Sequence, residues 1–293
     1  MHQSWIIGLH GLKLTPLERQ YLRDTPPLGV ILFARNCQNP EQIRTLLDDV
    51  RQHTGQNSWG AIDEEGGRVN RIPFPPFTSR KHPAEFGTMF EKDPDKATQA
   101  IFEDAYTVGQ AMAKLGFTHN CAPVLDIFHP EGHGIIGQRS LSRHKETVIA
   151  LANNMVQGFK EAGIEAVGKH FPGHGRANGD SHLTVPSVNA NLETILHEAD
   201  IFKQVCQKGL QHLMSAHVIY TQVTPDIATF SRYWLHDVLR EKFSFQGHIW
   251  SDDLCMRGAG ENITDALTQA KAAGCNVMLI CQPETVQQCY QNL

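Results

Sequence analysis

The chain has 293 residues, 26 Lys and Arg against 31 Asp and Glu, a formal charge of -5 and 41% hydrophobic residues, enough apolar material for one large barrel or two smaller domains. The mild acidity and the lack of any basic run argue against a nucleic-acid or other polyanion partner. No stretch is apolar for long enough to cross a bilayer. The first ten residues lack a basic region, a long apolar region and a small-residue cleavage site, so no export signal is expected. Seven cysteines, with no C-x-x-C pair, read as reduced thiols filling a core in the cytoplasm.

Short apolar runs recur at 4–9, 29–34, 58–62, 118–123, 166–168, 212–215, 248–250 and 276–280, each ending in polar residues. They predict eight strands. Between them lie amphipathic helices with their own punctuation. Asn39 precedes Pro40, and Asp93 precedes Pro94, a cap followed by a first-turn proline. After the second, Ala97, Ile101, Ala105, Val108, Met112 and Leu115 step by three or four until Gly116. Val148, Leu151, Met155, Phe159 and Ala162 repeat the pattern up to Gly163, as do Leu192, Ile195, Ala199, Phe202 and Val205 before Gly209. No glycine-rich nucleotide fingerprint follows the first strand, so the alternation favours a closed parallel (β/α)8 barrel over an open doubly wound sheet. The expected architecture is one α/β domain over 1–293.

In such a barrel the working residues sit where strands end. Asp63 follows the third run, Asp126 and Arg139 the fourth, Lys169 and His170 the fifth, His217 the sixth and Asp252 the seventh. The densest segment is Lys169-His170-Phe171-Pro172-Gly173-His174-Gly175 with Asp180-Ser181-His182. Pro172 and the glycines at 173, 175 and 179 predict a loop after His170 that places polar groups without burying them and has hinge freedom.

Asp252 is placed to emerge into the barrel mouth as a nucleophile or electrostatic stabiliser, with Asp253 turned elsewhere; the plainer reading of the pair is a helix cap. Asp180 is near enough to His182 to set its tautomer and leave the other nitrogen to move a proton, against the plainer reading of a solvated loop histidine. His170, His174 and His182 could ligate zinc, but there is no H-E-x-x-H and Lys169 would repel a cation, so no metal is expected. Asp63-Glu64-Glu65-Gly66-Gly67-Arg68 with Arg71 suits forked hydrogen bonding to a polyhydroxylated ligand, or is a charged surface turn.

Taken together, 61–69, Ala122-Pro123-Val124-Leu125-Asp126, 169–175, Asp180-Ser181-His182, Ala216-His217-Val218-Ile219-Tyr220 and Ser251-Asp252-Asp253-Leu254-Cys255-Met256 resemble the family 3 glycoside hydrolases. The bacterial β-N-acetylhexosaminidase branch is the nearest match. The six motifs occur in the family's order and span nearly the whole chain. The resemblance implies a retaining double displacement with Asp252 as nucleophile and an Asp180–His182 pair as acid/base on a mobile loop. It implies that Asp63, Arg71, Arg139, Lys169 and His170 hold an N-acetylglucosamine ring. It also implies muropeptide fragments carrying terminal β-linked N-acetylglucosamine as substrate, processed in the cytoplasm during cell-wall recycling by a monomer without cofactor. Ser215 in place of a usual proline, Gln138 in place of a usual acid and a variant loop at 130–134 depart from the pattern and bear on leaving-group selection. Because relatives carry a longer C-terminal helical segment, the resemblance also implies an abbreviated closing helix. A glycoside phosphorylase and a sugar-binding homologue without catalysis are the alternatives.

Overall fold

The computed structural model describes residues 3–292. Its ten strands are β1 (Gln3–Gly8), β2 (Pro27–Leu32), β3 (Trp59–Ile62), β4 (His119–Asn120), β5 (Glu165–Phe171), β6 (Ser187–Val188), β7 (His212–Ser215), β8 (Ile219–Tyr220), β9 (His248–Asp253) and β10 (Val277–Ile280). Eight of them close an all-parallel barrel in the order β1-β2-β3-β4-β5-β7-β9-β10, with Ile6 registered against Leu279 where the first strand meets the last. Strands β6 and β8 pair with each other outside the barrel.

The helices are α1 (Pro16–Asp24), α2 (Pro40–Thr54), α3 (Pro83–Lys92), α4 (Pro94–Leu115), α5 (Lys145–Glu161), α6 (Leu192–Gln207), α7 (Ile263–Ala273) and α8 (Pro283–Gln291), with a π-helix at Tyr233–Lys242. None among the described residues is long and apolar enough to cross a membrane. Each crossover between consecutive barrel strands thus contains at least one helix, giving the (β/α)8 barrel expected from the alternation. The caps form as their residues dictate. Asn39 Oδ1 accepts from the Gln42 amide at 3.0 Å and Asp93 Oδ1 from the Lys96 amide at 3.1 Å. Gly116 closes α4 with a φ of 94°.

Two apolar layers follow from strand alternation. Ile6, Ile31, Ala61, Cys121, Val167, Met214, Trp250 and Leu279 fill the barrel, while Ile7, Val30, Leu32 and Ile62 face outward to the helices. Helix α4 buries Ala97, Ile101, Ala105, Val108, Met112 and Leu115, the predicted stripe. It lies close on α5 because two glycines let the backbones approach. A Cβ on Gly158 would stand 2.5 Å from the Phe102 carbonyl oxygen, and one on Gly109 would stand 2.6 Å from the Ala162 methyl.

Only the strand at 212–215 keeps its expected bounds; several others shift by one or two residues, and β9 runs on to Asp253 and so contains Asp252. The second strand begins at Pro27 rather than 29. The fourth shrinks to two residues, since Pro123 has no N–H to donate to a ladder. The fifth runs on through Lys169 and His170 to Phe171, so both groups belong to the strand and not to its loop. The two-residue strands β6 and β8 carry too little pattern to be visible in the sequence. All seven cysteines are free thiols, five of them buried.

The N-terminal end of the barrel is plugged by rings from the first residues of four strands. Trp59 lies 4.2 Å from His119, His119 4.8 Å from His212 and His212 4.9 Å from His248, measured between ring centres. The Trp250 indole N–H donates to His212 Nδ1 at 3.1 Å, which requires that nitrogen unprotonated. Burial, then the neighbouring His212 and His248, lowers His119 to about 2, and burial with His248 lowers His212 to about 3. These folded values lie below the unfolded value of about 6.5, so their contribution is fully present above that pH and drains as pH falls through the interval toward the folded values. The thermal midpoint is expected to fall steadily below about pH 6.5. His119→Phe, which removes one titrating ring, should reduce that slope; an unchanged slope would show that the plug does not govern acid stability.

Candidate active site

The C-terminal strand ends surround a cavity of about 430 Å³, lined among others by Asp63, Glu65, Arg71, Arg139, Lys169, His170, His174, His182 and Asp252. All five predicted substrate-binding residues and two of the three predicted catalytic ones therefore border one space. The third, Asp180, holds His182 from behind.

The cavity wall is a network of opposite charges. Lys169 Nζ, at the end of β5, lies 2.6 Å from both Asp63 Oδ1 and Glu65 Oε1. Arg139, on the 3-10 turn Gly137–Arg139, grips Glu65 with two hydrogen bonds of 2.8 Å. Arg71 stands 3.8 Å from Asp63 Oδ2. Burial alone would push the Glu65 carboxyl up, but Arg139 and Lys169 outweigh it and hold the group below the ordinary carboxylate range. Lys169, against the same burial, is held above the usual ammonium range by Asp63 and Glu65. Both are thus charged. Glu65 is consumed within the wall, whereas Asp63 keeps part of its side chain exposed to the cavity.

The Asp-Glu-Glu motif consequently has three separate duties. Glu64 points away from the cavity and accepts from the amides of Arg71, at 2.9 Å, and Ile72. Burial raises its carboxyl to about 7 against those hydrogen bonds. It folds the loop that returns Arg71 to the site, so the motif is not a charged surface turn.

Asp126 is the second organiser. It is 1% exposed, and its oxygens accept from His170 Nδ1 at 2.7 Å, the His170 amide at 3.2 Å and the His174 amide at 2.7 Å. Despite burial, His170 keeps it below the ordinary range. An ionised Asp126 places the His170 proton on Nδ1 and leaves Nε2 as the other, free nitrogen. His174, lowered to about 4 by burial and then by His170, has a buried Nδ1 without a partner. The expectation that the loop after His170 leaves its polar groups unburied fails at His174 and holds at His182. Lys169, His170 and His174 are all buried, with ion pairs and hydrogen bonds standing in for water.

Asp252 sits at the end of β9, half-buried. Its Oδ1 accepts from the Asp253 amide at 2.8 Å. Burial raises its pKa, but His217 and then His170 outweigh it, so the carboxylate is held below its ordinary 3.8. Asp253 turns aside as expected, its Oδ1 accepting from the amides of Cys255 and Cys281 at 2.9 and 3.0 Å. The pair is not a helix cap. His217, fully buried, approaches the Asp253 carbonyl with Nε2 at 3.0 Å.

The loop after β5 carries the dyad. Asp180 Oδ1 lies 2.7 Å from His182 Nδ1 and also accepts from the His182 amide at 2.9 Å. The His182 side chain is 62% exposed, against 16% for Asp180. Among the three glycines expected to be hinges, only Gly173 adopts a positive φ, 139°. Gly175 serves close packing, since a Cβ there would be 1.9 Å from the Ile127 carbonyl oxygen. Arg176, tied to Glu198 at 2.7 Å, and the paired Asn178 and Ser187 hold the rest of the loop.

Glu65 and His174 were absent from the candidate residues, although each lay within a motif singled out from the sequence, and Asp126 and His217 were candidates without an assigned role. Their position beside strand ends was visible. Their use as internal partners was not, because charge pairing across strands has no sequence spacing.

Residues 10–293 match the family described as Glycosyl hydrolase family 3 N terminal domain. A Beta-hexosaminidase of Methylobacillus flagellatus is 37% identical, over 98% of this chain and 83% of its own length. Another, from Glaesserella parasuis, is 38% identical over 98% and 84%. The crystal structure of NagZ from Neisseria gonorrhoeae in complex with N-trifluoroacetyl-D-glucosamine superposes with a TM-score of 0.92 at 32% identity, covering 99% of this chain and 85% of that one. With the barrel, the charged cavity and the relatives in agreement, the chain belongs to glycosyl hydrolase family 3, among its β-hexosaminidases.

Proposed function

We propose that the protein removes terminal β-linked N-acetylglucosamine from muropeptide fragments by a retaining double displacement, acting in the cytoplasm as a monomer without metal or cofactor. The observation that carries this reading is the pairing, on one cavity, of a carboxylate held ionised with an exposed imidazole backed by an aspartate. The sugar is suggested by the ligand of the gonococcal relative. The aglycone and compartment follow from the branch that the motifs resemble, and free cysteines suit a reducing compartment.

In the first half-reaction an Asp252 oxygen attacks the anomeric carbon. Oδ1 is occupied by the Asp253 amide, so Oδ2 is the nucleophile. As the glycosidic bond breaks, its oxygen takes the proton from His182 Nε2, the nitrogen that Asp180 leaves free. Asp180, held below the ordinary carboxylate range by its bonds to His182 against partial desolvation, stabilises the imidazolium as an anion. In the second half-reaction, neutral His182 Nε2 takes a proton from water, whose oxygen attacks the same carbon and releases Asp252. Asp63, Arg71, Arg139, Lys169 and His170 hold the sugar hydroxyls and acetamido group, the charged wall having no freedom to reorganise during reaction.

Hydrolysis of a chromogenic N-acetyl-β-glucosaminide is the direct test. Asp252→Ala is expected to lower kcat by at least about 10³-fold, and a slow fluorinated substrate should label Asp252; a label elsewhere would overturn the assignment. His182→Ala is expected to lower kcat/KM for an alkyl N-acetyl-β-glucosaminide by about 10²–10⁴-fold. Added phosphate should leave the product as free sugar. Sugar 1-phosphate as the main product would replace hydrolysis with phosphorolysis.

A further inference from the structure

Between Asp180 and His182, Ser181 is only 3% exposed, buried between a partly covered neighbour and a largely exposed one. Its burial is explained by one contact. The Ser181 carbonyl accepts from the Gly258 amide at 2.9 Å. Gly258 belongs to the 3-10 turn Arg257–Ala259, five residues beyond Asp253 and on the same exit from β9 as the nucleophile.

That turn is fixed by successive backbone bonds: Met256 to the Asp253 carbonyl, Ala259 to Met256, and Gly260 to Arg257. The Asp253 carbonyl also faces His217 Nε2. On the loop side, the amides of Leu183 and Thr184 both donate to the Asp180 carbonyl, making 180–184 one compact turn. The two turns meet at residue 258, which has no side chain. A Cβ there would lie 2.9 Å from Ser181 O, 3.0 Å from His217 Cβ and 3.2 Å from Ser181 Cβ. Gly258 does not have a positive φ, so the requirement is space and not backbone conformation.

We infer that Gly258 is a positioning residue for proton transfer: its bare Cα and its N–H seat Ser181 on the exit turn of the nucleophile strand and so set the distance between His182 and Asp252. This rests on the reading of His182 as the acid/base given above. A methyl group at 258 must lift the 180–184 turn, since the exit turn and His217 are held from below while the dyad loop is open to solvent. The nucleophile and the sugar-binding wall stay in place.

Leaving-group dependence separates this from a general loss of structure. A 2,4-dinitrophenyl aglycone departs without a proton, whereas an alkyl aglycone needs one. In Gly258→Ala, kcat/KM for an alkyl N-acetyl-β-glucosaminide is expected to fall at least about tenfold further than for the 2,4-dinitrophenyl glycoside. Ser181→Val enlarges the same contact from the loop side, where folding is not at stake, and should show the same split. It decides the matter if Gly258→Ala does not fold. Equal losses on both substrates, or none, in the folded variants would overturn the positioning role. His182→Ala is the control on the underlying reading. If it shows no leaving-group dependence the acid/base assignment fails, and if it alone shows one the seat at Gly258 fails.

Discussion

The mouth of this barrel depends on ion pairs made out of reach of water. Lys169 and Glu65 are each about 3% exposed, and neither could remain charged there alone. Held 2.6 Å apart, with Asp63 on the lysine and Arg139 on the glutamate, they satisfy one another. The favourable state requires all members at once, because deleting one partner of a buried pair typically costs about 3–5 kcal/mol through the charge left behind. The network therefore ties the loop after β3, the end of β5 and the turn Gly137–Arg139 into one body. Hydrogen-bonding groups that border the cavity are placed by the same bonds that join these three segments.

The two ends of the barrel use the same strands for opposite electrostatics. At the N-terminal end, burial without carboxylates drives His119 and His212 neutral, and they pack as aromatic rings beside Trp59 and Trp250. At the C-terminal end, burial beside partners of opposite sign keeps Glu65, Lys169 and Asp126 ionised. For Glu65, Lys169 and Asp126 partner charge outweighs depth, whereas at His174 burial wins even beside Asp126.

The architecture was legible because it is written in local patterns. Strand runs, the stripe of α4 and the caps at Asn39 and Asp93 all depend on neighbours within a few residues. Asp252, Asp180 and His182 were legible because a strand end and an Asp-x-His spacing are local too. What failed to show was settled across the chain. Lys169 looks like a loop residue until Asp63 and Glu65, over a hundred positions earlier, allow it to stay in a buried strand. Glu64 and Glu65 are adjacent and chemically alike, yet one is neutralised toward a pKa of about 7 and the other kept anionic, according to which faces Arg139 and Lys169. The seat of Ser181 on Gly258 joins two loops and leaves no trace in either.

In the proposed mechanism, the use of an imidazole in the dyad follows from this electrostatic setting. A carboxylic acid would have to keep its proton near neutral pH beside Asp252, and enzymes achieve that by burying the acid in apolar surroundings. The loop after β5 offers no such pocket, for the His182 side chain is mostly exposed. An imidazolium needs no raised pKa to be a proton donor, and anionic neighbours stabilise its charge rather than repel it. Asp180 supplies one such neighbour through a 2.7 Å contact, and Asp252 across the cavity another. In the proposed mechanism an exposed donor and a half-buried nucleophile are compatible because the donor's loop is seated on the exit turn of β9.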